Sequence, residues 1–249
     1  MFQPVAVFTG GHALFERRFI VSVGVVIPAA GQGKRMGTKE SKQFLLFEDQ
    51  PILIHTIRVF ETHPAIDEII VVMKEDEIAR TRKLIQKEGF LKVTQVIAGG
   101  KERQESVYRG IQSLDTDLVL VHDAVRPFVS HQAIDRLLES VQMHGAAILA
   151  VPMKDTVKQV DDAGIVEMTP DRSRLWSVQT PQAFRREWLL EAHQLGLVRE
   201  QLATDDSMLV EELGIDVRVV EGEYTNIKIT TPDDLILAES IQQMRRKHV

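Results

Sequence analysis

The sequence has no cysteine, few aromatic residues and no long apolar run. The absence of cysteine among its 249 residues excludes disulfides, thiolate metal sites and cysteine nucleophiles. No apolar run approaches the roughly 20 residues that a membrane-spanning helix needs, so we expect no membrane partner. With 44% hydrophobic and 27% charged residues, the composition is that of a globular protein with a full core, and a cytoplasmic location is expected.

The charge balance is mildly acidic, with a formal net charge of −6. A surface that binds polyanions in general is therefore not expected, and nucleic acid is excluded as a partner. Any anionic ligand must be held by a local basic cluster. Residues 1–21 match neither a strand nor a well-formed helix, so we interpret them as an N-terminal extension before a single domain over residues 22–249.

Strand-like apolar runs alternate with helical patterns through the first part of the chain. The predicted strands are Val23–Ala29, Glu68–Met73, Lys92–Ala98, Leu118–His122 and Ala146–Val151. The predicted helices between them are Pro51–Thr62, Asp76–Glu88, Glu102–Ser113 and Gln132–Met143. This rhythm predicts an α/β fold with a mostly parallel twisted sheet and helices on both faces.

The rhythm breaks over residues 152–180. Two strand-like segments, 157–160 and 165–168, flank a four-residue turn, which predicts a β-hairpin. The hairpin has few residues that could cover a core, so we expect a protruding β-arm. Such an arm needs a surface to pack on, and a second copy of the chain is the simplest one, which predicts a homodimer.

The α/β pattern resumes after the arm. A helix through Glu212 would be capped by Thr204 or Asp205. We then expect a strand at Val217–Val220, a short strand at Ile227–Ile229, and a last helix that begins near Pro232.

The first candidate site follows the first strand, in the segment PAAGQGKRMG at residues 28–37 and at Lys42. Consecutive N–H groups in a glycine-rich turn can bind an anion, and Arg35 and Lys42 add positive charge. The spacing matches neither the Walker A pattern nor the dinucleotide fingerprint. On glycine spacing alone, an ordinary solvated turn remains an equal alternative.

Two further candidate sites follow later strands. Gly99-Gly100 opens a helix that contains Ser106, and Asp123 ends a strand three residues before Arg126. Ligands of open α/β sheets lie beyond the carboxyl ends of strands, where an aspartate can hold Mg²⁺ or a hydroxyl group. An ordinary turn and a structural Asp–Arg pair are the alternatives. His122 is interpreted as a packing residue.

Taken together, the segments resemble one known family. They are, in chain order, PAAGQGKRMG, KQF, AGGKERQESV, VHDAVRPF, VPMKDTVK, LWSVQTPQAF, TDDS and NIKITTPDD. From about Val23 to the last helix, the chain is similar to the 2-C-methyl-D-erythritol 4-phosphate cytidylyltransferases of the non-mevalonate isoprenoid pathway. The resemblance implies a Rossmann-like fold, a homodimer with an exchanged arm, a requirement for Mg²⁺ or another divalent cation, and transfer of CMP from CTP with release of pyrophosphate.

The resemblance also implies roles for individual residues. CTP would be bound by Pro28, Ala29, Ala30, Gly31, Gly100, Ser106 and Ala124. Catalytic charge stabilisation would come from Arg35, Lys42, Arg172 and Lys228. The second substrate would meet Asp123, Arg126, Thr156, Arg172, Thr180, Thr204 and Lys228, with Thr156 and Arg172 reaching it from the partner's arm. Magnesium would be held mainly by the CTP phosphates, with Asp123 as its candidate protein ligand.

Two residues depart from the family pattern. Lys101 stands where an acidic residue is common, and Ser41 stands where proline is frequent, which predicts a less rigid loop at Lys42. Three alternatives remain open at this point. They are a cytidylyltransferase for ribitol 5-phosphate, a related enzyme for a sugar 1-phosphate, and a non-catalytic module that binds CTP.

Overall fold

The computed structural model describes residues 21–31 and 41–247, so the predicted N-terminal extension lies almost entirely outside the described residues. The strands are β1 (Val23–Pro28), β2 (Leu46–Phe47), β3 (Gln50–Pro51), β4 (Glu68–Met73), β5 (Val93–Ala98), β6 (Leu118–Val121), β7 (Ala146–Pro152), β8 (Gln159–Val160), β9 (Val166–Met168), β10 (Trp176–Arg185) and β11 (Arg218–Glu221). The α-helices are α1 (Ile52–Thr62), α2 (Ile78–Glu88), α3 (Arg103–Gln112), α4 (His131–His144), α5 (Arg186–Val198), α6 (Asp206–Glu211) and α7 (Pro232–Lys247).

A seven-stranded sheet forms the centre of the fold, in the order β11-β7-β10-β6-β1-β4-β5. Its neighbours pair in parallel, except that β10 runs antiparallel to both β6 and β7. The mostly parallel α/β fold that the sequence predicts is therefore confirmed. The crossover helices of parallel pairs cover the faces of the sheet, which leaves the strand ends open for a site.

Two apolar clusters cover the two faces of the sheet. Val25 and Ile27 of β1 belong to a cluster that also contains residues of α1, α2 and α4. Val26, which points to the other face, belongs to a cluster with residues of α3, α5 and α6. Both faces of β1 are buried, as expected for a central parallel strand, and this explains its continuous valine and isoleucine run.

One predicted strand is wrong. Residues 227–229 form no strand. Ile229 is fully buried, and its backbone N–H donates to the carbonyl of Val125 at 2.9 Å. It packs in a third apolar cluster with Val125 and Phe128. A short apolar run thus reflects burial at this position rather than membership of a sheet.

Strand β10 and helix α5 were not predicted, and neither were the two-residue strands β2 and β3. Strand β10 lies between β6 and β7, which are adjacent to it in space but not consecutive with it in sequence. Its register shifts between Val178 and Gln182, so its inward alternation is interrupted at the point where it passes the site. A broken alternation of this kind hides a strand from a period-2 pattern.

The predicted hairpin is present as β8 and β9, which form a separate two-stranded sheet. The Asp161 carboxylate accepts hydrogen bonds from the N–H groups of Ala163 and Ile165 and shapes the turn. Apolar side chains remain exposed along the arm and at the start of β10, at Val160, Ile165, Val166, Met168, Trp176 and Val178.

Candidate active site

A pocket opens at the carboxyl ends of β1, β5 and β6. Its walls bring together segments that are far apart in the sequence. It is lined by Pro28, Ala29, Ala30, Gly31, Lys42, Gln43, Gly100, Lys101, Glu102, Arg103, Ser106, Asp123, Ala124, Val125 and Lys228. All the predicted nucleotide-binding residues therefore lie in one pocket, together with Lys42, Asp123 and Lys228. The roles that the resemblance gives them stay predictions.

Small residues allow two backbone turns to meet at the floor of this pocket. A Cβ atom on Gly99 would lie 2.6 Å from the Ser106 hydroxyl and 2.7 Å from the Ala30 methyl, so only glycine fits there. Ser106 Oγ accepts a hydrogen bond from the N–H of Gly100 at 3.1 Å and donates to the carbonyl of Glu102. The turn after β1 and the start of α3 thus form one surface that a flat nucleotide base can approach.

The segment around Lys42 is anchored by its two neighbours. The buried amide of Gln43 donates to the Ala29 carbonyl at 2.8 Å and to Glu77 at 3.1 Å. Ser41 is buried, donates to Glu77 and accepts a hydrogen bond from Lys74 at 3.1 Å. Ser41 thus makes side-chain hydrogen bonds that a proline at this position could not make, and the looser loop at Lys42 stays a prediction.

Asp123 is the centre of the charged wall. Its Oδ2 lies 2.8 Å from Lys228 Nζ and 3.3 Å from Arg126 Nε, and its Oδ1 lies 3.7 Å from Arg103 Nε. Burial alone would raise the pKa of Asp123, but Lys228, Arg103 and Arg126 together hold it well below its usual range. The carboxylate is therefore ionised at neutral pH, and the wall carries more positive than negative charge.

Backbone and amide contacts fix this wall in place. The N–H of Asp123 donates to Thr180 Oγ1 at 3.0 Å, where the register of β10 shifts. Arg126 donates to the carbonyl of Asn226 at 2.8 Å, and the Asn226 amide donates to the Thr180 carbonyl at 2.9 Å. Arg126 and Thr180 thus support Asp123 and Lys228 from behind the residues that line the pocket.

Some predicted residues do not line the pocket in a single chain. Thr156 and Arg172 are exposed on the arm, and Arg172 donates to the Lys154 carbonyl at 2.6 Å. Thr204 is also exposed, and its neighbour Asp205 caps α6 by accepting from the N–H of Met208. Arg35 lies outside the described residues, and its role stays a prediction from the sequence.

Arg103 and Asp206 are charged residues at this site to which the sequence analysis gave no role. Arg103 lines the pocket, and its Nη2 lies 2.8 Å from Oδ2 of the fully buried Asp206. Despite the cost of burial, Asp206 and Asp123 raise the pKa of Arg103 above its ordinary value. Arg103 lies in the segment AGGKERQESV and Asp206 in the segment TDDS, but no local pattern indicates that the two side chains would pair.

The residues around the pocket do not form a dedicated metal site. No group of three or more histidine, cysteine, aspartate or glutamate side chains that could hold a metal occurs among residues 21–31 and 41–247. Oδ2 of Asp123 already contacts Lys228 and Arg126, which leaves it poorly placed as a primary ligand. The donor set fits a cation that is carried mainly by the phosphates of a nucleotide.

His122 directly precedes Asp123 of the charged wall in the sequence. It is fully buried, its ring packs edge-on against Phe60 at 4.8 Å, and its Nε2–H donates to the Arg126 carbonyl at 2.9 Å. Burial lowers the pKa of His122 to about 4. The histidine is therefore a neutral packing residue, in line with its interpretation from sequence.

The low pKa of His122 predicts a loss of stability in mild acid. Between pH 6.5 and 4 the unfolded imidazole binds a proton that the folded one does not, so the free energy of unfolding falls as the pH falls. The loss is at most about 3 kcal/mol. His122→Gln should flatten this slope in urea titrations between pH 7 and 5. His144→Gln, at an exposed position of α4, should keep it, and equal slopes in all three proteins would contradict the assignment.

The family of the chain follows from a comparison with known proteins. A family model described as 2-C-methyl-D-erythritol 4-phosphate cytidylyltransferase (IspD) matches residues 23–244. The chain belongs to this family. The match confirms the resemblance that the motifs indicate, and it favours that family over the ribitol 5-phosphate and binding-module alternatives.

Two relatives and one solved structure of the family are similar to this chain over nearly their whole length. A protein of that name from Bacillus velezensis is 51% identical over 221 residues, covering 88% of this chain and 95% of the relative. One from Geobacter metallireducens is 47% identical, covering 88% of this chain and 97% of the relative. The solved 4-diphosphocytidyl-2C-methyl-D-erythritol synthase from Anaerococcus prevotii superposes with a TM-score of 0.80 at 33% identity, covering 90% of this chain and 99% of that one.

Proposed function

We propose that this enzyme transfers CMP from CTP to 2-C-methyl-D-erythritol 4-phosphate, giving 4-diphosphocytidyl-2-C-methyl-D-erythritol and pyrophosphate in isoprenoid precursor biosynthesis. The observation that carries the proposal is the composition of the pocket in a chain of this family. Small residues and backbone groups suited to a nucleotide line the same pocket as Lys42 and Lys228. Two anionic substrates can be brought together only where such cations offset their repulsion.

The reaction that fits this pocket is a direct, one-step nucleotidyl transfer. An oxygen of the acceptor's 4-phosphate attacks the α-phosphorus of CTP in line, a new P–O bond forms, and the bond from the α-phosphorus to the β-phosphate oxygen breaks. Pyrophosphate leaves with the bonding electrons. The attacking oxygen is already ionised at neutral pH, so no general base is required, and catalysis consists of positioning and charge stabilisation. Lys42 and Lys228, which line the pocket, would supply that charge stabilisation, and Arg35 is expected to join them.

We propose that magnesium enters the site bound to the triphosphate of CTP. The arrangement around Asp123 supports this, because its Oδ2 is engaged by Lys228 and Arg126. When bound, the cation would neutralise charge on the phosphates, and the pocket residues would orient the nucleotide itself.

A cytoplasmic location is also proposed. As a separate observation, none of the α-helices among residues 21–31 and 41–247 is a candidate membrane span.

We further propose a homodimer in which each arm completes the partner's site. The apolar side chains exposed on β8, β9 and the start of β10 support it, because contact with a second chain would remove this patch from water. Thr156 and Arg172 lie exposed on the same arm, away from their own chain's pocket. Both would bind the acceptor phosphate of the neighbouring site.

A mixing experiment tests the shared site. Arg172→Ala and Lys42→Ala chains should each be nearly inactive alone, because every site in either homodimer lacks one group. Mixing the two and allowing the subunits to exchange should restore activity, since the heterodimer keeps one intact site. No recovery, with subunit exchange verified by differently tagged chains, would argue against the exchanged arm.

The substrate assignment is tested by measuring pyrophosphate release with CTP and Mg²⁺. The acceptors to compare are 2-C-methyl-D-erythritol 4-phosphate and ribitol 5-phosphate. Release only with the first supports both the substrate and the reaction. Release only with ribitol 5-phosphate would keep the chemistry and overturn the acceptor, and no release with either would overturn the enzymatic assignment.

A further inference from the structure

A buried carboxylate, Asp206, stands behind the pocket. It begins α6, and its side chain is only 1% exposed, so a ligand in the pocket does not reach it. Its Oδ2 lies 2.8 Å from Nη2 of Arg103, and its Oδ1 lies 3.3 Å from Nε2 of His193, a fully buried residue of α5. The pocket-lining guanidinium is therefore held from behind by a charge that the substrates do not touch.

The other side of Arg103 faces Asp123. The distance of 3.7 Å from Nε to Oδ1 is too long for a hydrogen bond, but the attraction is strong because Asp123 is buried. Oδ2 of the same carboxylate is in direct contact with Lys228 and Arg126 instead. The two oxygens thus differ. Oδ2 is engaged by direct contacts, whereas Oδ1 is oriented by Arg103 and still able to accept a hydrogen bond from a ligand.

Asp206 is held in place by several contacts. Its N–H donates to the buried Gln182 side chain at 3.2 Å, and the preceding Asp205 caps α6. The His193 ring lies nearly parallel to Tyr108 of α3, the helix that begins with Arg103, with ring centroids 6.1 Å apart. One polar chain therefore joins α3, α5 and α6. A guanidinium held in this way is ordered before any ligand binds, which reduces the entropy lost on binding.

We propose that Arg103, held by Asp206, is a positioning residue that directs Oδ1 of Asp123 into the pocket to accept a hydroxyl group of the polyol phosphate. This inference rests on the proposed function, which brings the acceptor to Asp123. Without Arg103, the carboxylate is attracted only towards Lys228 and Arg126, so it turns away from the acceptor. Binding of the acceptor then weakens more than binding of CTP.

The test is steady-state pyrophosphate release by the full chain, with each substrate varied in turn. Arg103→Met and Asp206→Asn should each raise KM for the acceptor roughly tenfold and change KM for CTP much less. The double variant should be no worse than Arg103→Met, because Asp206 acts through Arg103. Arg103→Lys keeps the charge but cannot span two carboxylates, so an intermediate KM is expected. If Asp206→Asn fails to fold, the two Arg103 variants still decide the outcome.

The matched control is Arg199→Gln. Arg199 and Glu212 form an ion pair at 3.6 Å between the ends of α5 and α6, but their side chains are 51% and 45% exposed. This variant should leave both KM values unchanged. Equal increases in the two KM values for Arg103→Met, or a lower melting temperature alone, would overturn the proposal, and additive effects in the double variant would overturn the part played by Asp206. An inactive wild-type chain would instead overturn the proposed function.

Discussion

Replacing Lys42 with alanine is expected to lower turnover at least about 100-fold while the chain still folds. Lys42 lines the pocket beside the turn at residues 28–31, where its ammonium group can stabilise the charge that builds on the α-phosphate. Losing one contact of this kind in the transition state costs on the order of 3 kcal/mol. Folding should persist because Gln43 and Phe44, and not Lys42, are the buried residues of that turn. The resemblance predicts the same loss for Arg35→Ala.

The measurement is kcat at saturating CTP and acceptor, beside a thermal melting curve for each variant. Lys83→Ala is the matched control, because Lys83 is an exposed residue of α2 away from the pocket. It should retain wild-type turnover and melting temperature. Near-wild-type turnover in both Lys42→Ala and Arg35→Ala would contradict the catalytic role predicted for these two residues.

Replacing Asp123 with asparagine is expected to reduce both stability and activity. The ionised carboxylate lies among Lys228, Arg126 and Arg103, and its removal leaves these cations facing one another. Breaking a buried ion pair from one side costs about 3–5 kcal/mol, and the lower end applies because Lys228 and Arg103 keep about a third of their side chains exposed. Turnover should fall as well, since Lys228 loses the contact that positions it.

Urea denaturation at pH 7 measures the stability change, and pyrophosphate release measures the activity. Asp76→Asn, on the exposed turn before α2, is the control and should change neither. Adding salt should recover part of the lost stability, because it screens repulsion between the remaining cations. An Asp123→Asn chain as stable as the wild type would show that the cations do not depend on this carboxylate.

Much of the fold can be predicted from local pattern. Continuous valine and isoleucine runs indicate β1 and β4 because both faces of a central parallel strand are buried. The helices between them follow from the spacing of their apolar residues. Strand β10 could not be predicted in this way. Its alternation is interrupted between Val178 and Gln182, and its partners β6 and β7 are not consecutive with it in the sequence.

The sequence by itself determined most of the strands and helices, the glycine-rich turns, and the set of charged residues from which a site could be built. Periodicity and turn chemistry act over a few residues, so they can be read without coordinates. Only the tertiary structure decided which charges meet: Asp123 with Lys228, and Arg103 with the buried Asp206. These pairs depend on how strands order themselves in the sheet and how α3 packs against α5 and α6. No spacing along the chain encodes that arrangement, because it results from the packing of the two apolar layers on either side of the sheet.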